Sequence, residues 1–476
     1  MKKSSFSSNA IYNVLYKLLN VLFPLVSIAI ISRVLQPTGV GKVSSAQNIV
    51  TYFSFIAPLG LAFYGTREVA KHNGTKLNVL FSELILINGI STSICTIAYY
   101  VMIFTLPYFA GERILYSVTG LAIVLNYINV DWFYQGKEEY KYIALRSSIV
   151  KLVMLLCIII FIHKGEDYIK YAFITCLATA GNYFFNIIHL KKYNIKIIFS
   201  NLNLRKHMSA LFLLLASNIA VELYSLVDTT MLSAMCTEAV VGYYTNAMKL
   251  TKVSIFVIAA IGGVALPRLA SFVINREDEK VKKIVVDICN IMFFFAVPAG
   301  LGMISIADKI VIILFGVAFK DAILTVRILS LLFYILTFSN FFGTQVLVAY
   351  NEEKKVLVAS VCGAITNISL NYFLIPLFEQ NGAAIASVIS EIVVLTVTVV
   401  YVLKRIDLSF SKRFIFTVII SGIGMTVLVF VVKDNITNDL ISLVVSIIVA
   451  FFSYVGINYI LKNEVVLAMV DKIRNH

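Results

Sequence analysis

Lys17, Lys249 and Lys252 stand inside long apolar runs, each within a series of polar side chains at helical spacing. Around Lys17 the series is Asn9, Asn13, Lys17, Asn20, Pro24 and Ser27. Lys249 and Lys252 follow Thr245 in the same rhythm. Two further runs carry Ser44, Asn48 and Thr51, and Asn218, Glu222, Ser225 and then Asp228 or Thr229. Steps of three and four place each series on one face of a helix. A lysine at the centre of a membrane helix costs about 2.5–3.5 kcal/mol on insertion scales unless it meets water or a partner. Lys17 and Lys249 lie roughly 12–14 Å from the ends of their runs at about 1.5 Å per residue, beyond the reach of a snorkelling stem. They predict a hydrated chamber, or else an ion pair such as Lys249 with Glu222 or Asp228. The same two carboxylates are candidates for binding a coupling ion, H+ or Na+.

Other chemistry finds little support. The six cysteines (Cys95, Cys157, Cys176, Cys236, Cys289 and Cys362) are scattered without a C-x-x-C pair and read as small core residues. The five histidines show no metal-ligand spacing, so no metal or cofactor is expected. PTGVGKVS (37–44) imitates a phosphate-binding loop. That pattern needs glycine at 36 and a hydroxyl at 43, where this chain has Gln36 and Val43. It reads as a turn, punctuated by Pro37, Gly39 and Gly41. An enzyme would need polar loops bearing acid and base groups, and the connections are too short to supply them.

The elements that position the lysines are membrane spans. Of 476 residues 59% are hydrophobic and 14% charged, too little polar surface for a soluble protein of this size. Fourteen apolar runs are long enough to cross a bilayer. They lie near 9–33, 43–66, 78–104, 114–133, 143–163, 168–189, 208–232, 240–266, 284–305, 322–349, 356–376, 382–403, 413–432 and 438–461. DKIVIILFGVAFKD (308–321) reads as an outer surface segment rather than helix. Met1-Lys-Lys opens a run too long for a signal peptide, which is kept as the first span. Lysine and arginine concentrate in the connections on the side that holds both termini, which places the termini in the cytoplasm. Most of the net charge of +14 is therefore a topology signal, and no nucleic-acid partner is needed to explain it.

The two halves echo each other. GKVSSAQNIVTYFSF (41–55) aligns without gaps on GYYTNAMKLTKVSIF (242–256), and YQGKEEYK (134–141) resembles YNEEKK (350–355). Each echo shifts the chain by six spans. The predicted fold is an all-α polytopic membrane protein with two pseudo-symmetric six-helix bundles, 1–195 and 205–405, around a central cavity. Two helices and a tail, 406–476, complete it. The other charges read more plainly. Asp131, Arg146 and Lys151 are expected as interface anchors, and Trp132, Phe133 and Tyr134 as rings at headgroup depth. Arg33 is an anchor or a gate, and Arg67 an anchor. Glu83, Asp287, Arg327 and Glu391 are buried candidates of undetermined facing.

ISRVLQPTGVGKVSSAQNIVTYF, YGTRE, VDWFYQGKEEYKYIALRS and ILFGVAF resemble the polysaccharide-transport branch of the MOP (MATE-like) superfamily. The nearest group is the Wzx-type flippases of O-antigen and capsule repeat units. The resemblance runs over nearly the whole chain. It implies a V-shaped two-bundle fold and transfer of an undecaprenyl-diphosphate-linked oligosaccharide across the bacterial cytoplasmic membrane. Membrane lipids are then partners, with a polysaccharide polymerase and chain-length machinery as further ones. Lysines would hold the diphosphate, while Asn13, Asn20, Asn48, Asn218 and Thr245 replace water around the sugars. A peptidoglycan-precursor flippase shares this head-group chemistry. A MATE-type multidrug exporter would want an acidic cavity.

Overall fold

In a bilayer every backbone N–H and C=O must be bonded within the chain, so apolar runs of this length become helices. A computed structural model describes the backbone of residues 6–200, 202–263 and 265–467. Side chains are described over the same residues except 6–22, 216–225, 260, 261 and 263. All regular structure among the described residues is helical. By internal packing the chain divides into a unit of residues 1–230 and a unit of residues 231–476.

The first unit holds α1 (Phe6–Ile56), α2 (Leu61–Lys71), α3 (Gly74–Thr105), α4 (Arg113–Val124), α5 (Asp131–Gly136), α6 (Tyr140–Phe161) and α7 (Tyr168–Leu190). Most of α8 (Arg205–Met235) also belongs to it. The second holds α9 (Glu238–Gly263), α10 (Leu266–Ile274), α11 (Asp278–Phe315), α12 (Ala322–Leu329), α13 (Leu332–Asn340), α14 (Glu353–Leu403), α15 (Lys412–Asp434) and α16 (Asp439–Ile460). Each of the fourteen expected spans coincides with helix over most of its length. Among the described residues nine stretches are long and apolar enough to cross a membrane, or ten if the bent pair Ala322–Leu329 and Leu332–Leu347 is one crossing.

Two long helices each carry two expected spans. α1 breaks at one residue, Gln36 (φ 60°), and α14 at Glu379 (φ 49°). Helix resumes at Pro37, whose fixed φ suits a first helical position. The expected turn over 37–44 is thus confined to Gln36, and Gly39 and Gly41 lie within helix. Nor is 308–321 a surface segment through its length. Residues 308–315 complete α11, a 38-residue helix about 57 Å long at 1.5 Å per residue, which stops at Gly316 (φ 91°).

The aromatic stretch after α4 is core. Trp132, Phe133 and Tyr134 are 3%, 0% and 0% exposed, so these rings are sealed inside the protein rather than offered to headgroups. They pack with Tyr64, Leu77, Phe81 and Leu84. Two glycines permit this. A Cβ on Gly65 would lie 2.8 Å from the Trp132 ring, and one on Gly136 would lie 2.7 Å from the carbonyl of Thr66. YGTRE and DWFYQG are the two faces of this α2–α5 contact.

Candidate functional site

The polar stripe on the second half of α1 is folded onto α8. Asn48, 7% exposed, donates from Nδ2 to Thr230 Oγ1 at 2.7 Å and to the Leu226 carbonyl at 3.3 Å. The Tyr52 hydroxyl meets the same Thr230 oxygen at 2.7 Å, and Thr51 donates to the Gln47 carbonyl. Ser44 and Asp228 are buried as well. The stripe therefore gathers Asn48, Tyr52 and Thr230 into one bonded cluster beside Asp228.

The matching stripe on α9 is different. Thr245 is buried and donates to the Gly242 carbonyl at 3.4 Å. Lys249 is half-buried and Lys252 exposed. Among the described residues neither has an ion-pair partner. Tyr244, one position before Thr245, is sealed by a 2.9 Å hydrogen bond to Ser387 of α14. That contact fixes the side of α9 that faces into its unit. Lys17, Asn13, Asn20, Asn218 and Glu222 lie outside the described side chains.

Charges expected at the membrane surface prove to be internal struts. Arg146, 6% exposed, donates to Asp131 at 2.9 Å, and Asn186 donates to the same carboxylate at 2.6 Å. Arg146 also bonds the Asn186 side chain. Arg146 is thus no interface anchor: it ties α5, α6 and α7 together, because a guanidinium can bond several acceptors at once. Tyr134 adds a 2.5 Å bond to the Asn186 carbonyl. On the connection before α6, Glu139 meets His189 at 2.8 Å and Lys192 at 2.5 Å. Burial pushes the Glu139 carboxyl up, but hydrogen bonds from Lys192, Tyr193 and His189 outweigh it and hold the group below its ordinary range.

Glu83 is fully buried and grips the approach to α8. It lies 2.7 Å from Lys206 and 2.9 Å from His207, and accepts from the Asn203 N–H at 2.8 Å. His207 is held on its other side by the Tyr64 hydroxyl at 2.6 Å. Ser82 and Asn78 accept from the N–H groups of Ile198 and Lys196 at 2.8 and 3.3 Å. An open cavity of about 580 Å³ beside this cluster is lined by Tyr64, His72, Lys76, Lys206 and Glu68, among others. Its rim mixes both signs of charge, which favours no single class of ligand. The remaining candidates stay apart. Asp287 is exposed, and Arg327 lies 3.8 Å from Asp308. Asp308 also receives the nearly buried Lys433 at 3.2 Å. Lys433 was missed in the sequence because its position near the end of a run resembles an ordinary surface lysine.

Comparison with known proteins now adds to the geometry. Residues 6–273 match the family described as polysaccharide biosynthesis protein. A relative from Escherichia coli named "Putative O-antigen transporter" is 24% identical over 413 residues, covering 84% of this chain and 97% of the relative. A protein of Haloferax volcanii named "Probable low-salt glycan biosynthesis flippase Agl15" is 24% identical over 242 residues, 51% of each chain. Among solved structures, the lipid II flippase MurJ in an inward closed conformation superposes with a TM-score of 0.79 at 13% identity, covering 96% of this chain and 99% of that one. An inward-facing MATE-family multidrug resistance transporter of the MOP superfamily gives 0.64 at 16% identity, covering 84% and 98%. At these identities the structures establish the fold: all-α and MurJ- and MATE-like. With its many apolar helices, the chain is a multi-pass membrane protein.

Proposed function

Because the chain belongs to the polysaccharide biosynthesis protein family, we propose that it is a flippase for undecaprenyl-diphosphate-linked oligosaccharide repeat units. It works in the bacterial cytoplasmic membrane, with both termini in the cytoplasm, and serves surface polysaccharide synthesis. The observation that carries this reading is the match over 97% of the O-antigen transporter relative, joined to a flippase fold over 96% of the chain. Transport proceeds by alternating access, with residues 1–195 and 205–405 as the two bundles and 406–476 appended. The diphosphate is held by Lys249 and Lys252, whose ammonium groups have no ion-pair partner among the described residues, with Lys17 as a third cation. Asn13, Asn20, Asn218 and Thr245 supply the polar lining, while Asn48 is spent on Thr230 and the Leu226 carbonyl. The protein is a transporter and not an enzyme. With no nucleotide motif, transport draws on an H+ or Na+ gradient, the membrane potential or consumption of product, and Glu222 and Asp228 are the coupling candidates. A polymerase and chain-length machinery are the partners downstream.

Deletion of the gene tests this. Lipid-linked oligosaccharide should accumulate on the cytoplasmic side and surface polysaccharide should disappear. Unchanged polysaccharide in the deletion strain would overturn the reading. The fold shared with MurJ gives a second reading, a peptidoglycan-precursor flippase. Rescue of a strain lacking that flippase would favour it. The MATE-like fold also admits a multidrug exporter. The cationic α9 stripe argues against one, and a drug-resistance assay separates the two.

A further inference from the structure

Within the first unit a second cavity, about 250 Å³, lies between α1, α4 and α7. Gln47, Thr51 and Ser54 line it from α1, Thr119 from α4, and Thr175 and Thr179 from α7. Val50, Ala122 and Cys176 also line it, so among the described residues no charged side chain does. Six hydroxyl or amide groups in one small cavity, each within an apolar run, make an unusual concentration. A membrane interior gains nothing from such a void unless something polar fills it.

The hydrogen bonds say what kind of group that is. Thr51 gives its proton to the Gln47 carbonyl at 2.6 Å, Thr119 to Leu115 at 3.0 Å, Thr175 to Ala172 at 2.7 Å and Thr179 to Thr175 at 3.3 Å. The Gln47 amide N–H points at Thr175 Oγ1, 3.3 Å away. The four threonine donors and one Gln47 N–H are thus committed to the protein, which leaves the threonine oxygens as acceptors. A cavity rich in acceptors, with no cation among its described lining residues, repels a diphosphate and leaves an acyl chain's surroundings unsatisfied. It suits a neutral group rich in O–H donors. Its volume lies below the roughly 300–1,000 Å³ of drug-sized pockets, which limits it to about one ring.

We infer that the Gln47–Thr51–Thr175–Thr179 cavity is a monosaccharide subsite, taking one sugar ring of the lipid-linked substrate through its hydroxyls. The inference rests on the flippase reading above and deepens it: one sugar ring is assigned to residues other than the lysines that hold the diphosphate. Specificity for the repeat unit would then be set on α1 and α7.

The test uses full-length protein in lipid nanodiscs and two probes. One is polyprenyl-diphosphate oligosaccharide extracted from the deletion strain, and the other is the same diphosphate lipid without sugar. Valine keeps the shape of threonine and removes its oxygen, so the variant is Thr51→Val/Thr175→Val/Thr179→Val. Its affinity for the sugar-bearing lipid should fall at least tenfold, with affinity for the bare lipid within twofold of wild type. Unchanged affinity for both probes, or equal loss for both, overturns the subsite. So does wild-type binding that requires Na+ when the variant has lost that requirement, since the oxygens would then hold a cation. If the triple variant does not fold, Thr179→Val alone should still weaken sugar-lipid binding at least threefold, and no change overturns the subsite. Wild-type protein that binds neither probe overturns the flippase reading itself, a result distinct from all of these.

Discussion

Asn48 of α1 and Lys249 of α9 occupy matching places in the sequence echo, as do Ser44 with Thr245 and Thr51 with Lys252. In the first unit the amide is buried and bonded to Thr230 and Leu226. In the second the equivalent positions carry two ammonium groups without ion-pair partners among the described residues. Related helices have thus taken opposite routes. On α1 the polar side chain lost its solvent and gained protein partners, so it holds α8 in place. On α9 it kept a charge that no described residue pairs with, which is costly in a membrane and calls for water or an anionic partner. The difference teaches that polarity within a span is no index of function. Whether the protein has already satisfied the group is the better guide.

Four outcomes would sharpen or break that contrast. Lys249→Ala/Lys252→Ala should reduce surface polysaccharide to the level of the deletion strain while membrane abundance and unfolding temperature stay unchanged. A double variant that still makes polysaccharide would end the cationic role. Arg146→Ala should act the other way, lowering stability by about 2–3 kcal/mol because Asp131 and Asn186 lose a charged donor. Thermal unfolding in detergent measures it, and the loss should exceed any defect in transport per folded molecule. Asn48→Ala should cost about 1 kcal/mol, with transport within twofold of wild type. A transport loss without destabilisation would move Asn48 to the functional side of the comparison.

The smallest effect concerns pH. Glu139 is held below its ordinary range when folded, so its contribution is complete above the unfolded value of about 4.3 and fades as pH falls through the lower folded value. The stability difference between wild type and Glu139→Gln, about 0.2–1 kcal/mol for a partly exposed pair, should shrink between pH 7 and pH 3.5. A difference that grows on acidification would refute the assignment.

Much of this molecule was legible from hydropathy, because the bilayer forces apolar runs into helices and leaves few alternatives. The fourteen spans follow from that constraint alone. What hydropathy does not carry is which way a polar or aromatic group faces. Trp132, Phe133 and Tyr134 have the composition of an interfacial belt, and only their packing against α2 through Gly65 and Gly136 shows them to be core. Arg146 looked like an anchor because its partner Asn186 is 40 residues away. Residues 308–315 looked like a surface piece because Asp308 and Lys309 interrupt the apolar run, yet Lys433 and Asp439 neutralise them on neighbouring helices. The hydroxyl cavity escaped for a related reason. Its threonines are spread over three spans, and each alone resembles a common back-bonded threonine.

Residues 194–200 and 202–204 form no helix or strand, yet their amides at Lys196, Ile198 and Asn203 are stitched to Asn78, Ser82 and Glu83. A stretch so fastened has no slack. It behaves as a rigid strut carrying the start of α8 along with α3, and an epitope tag spliced into it would meet the resistance of a core insertion rather than the tolerance of a linker.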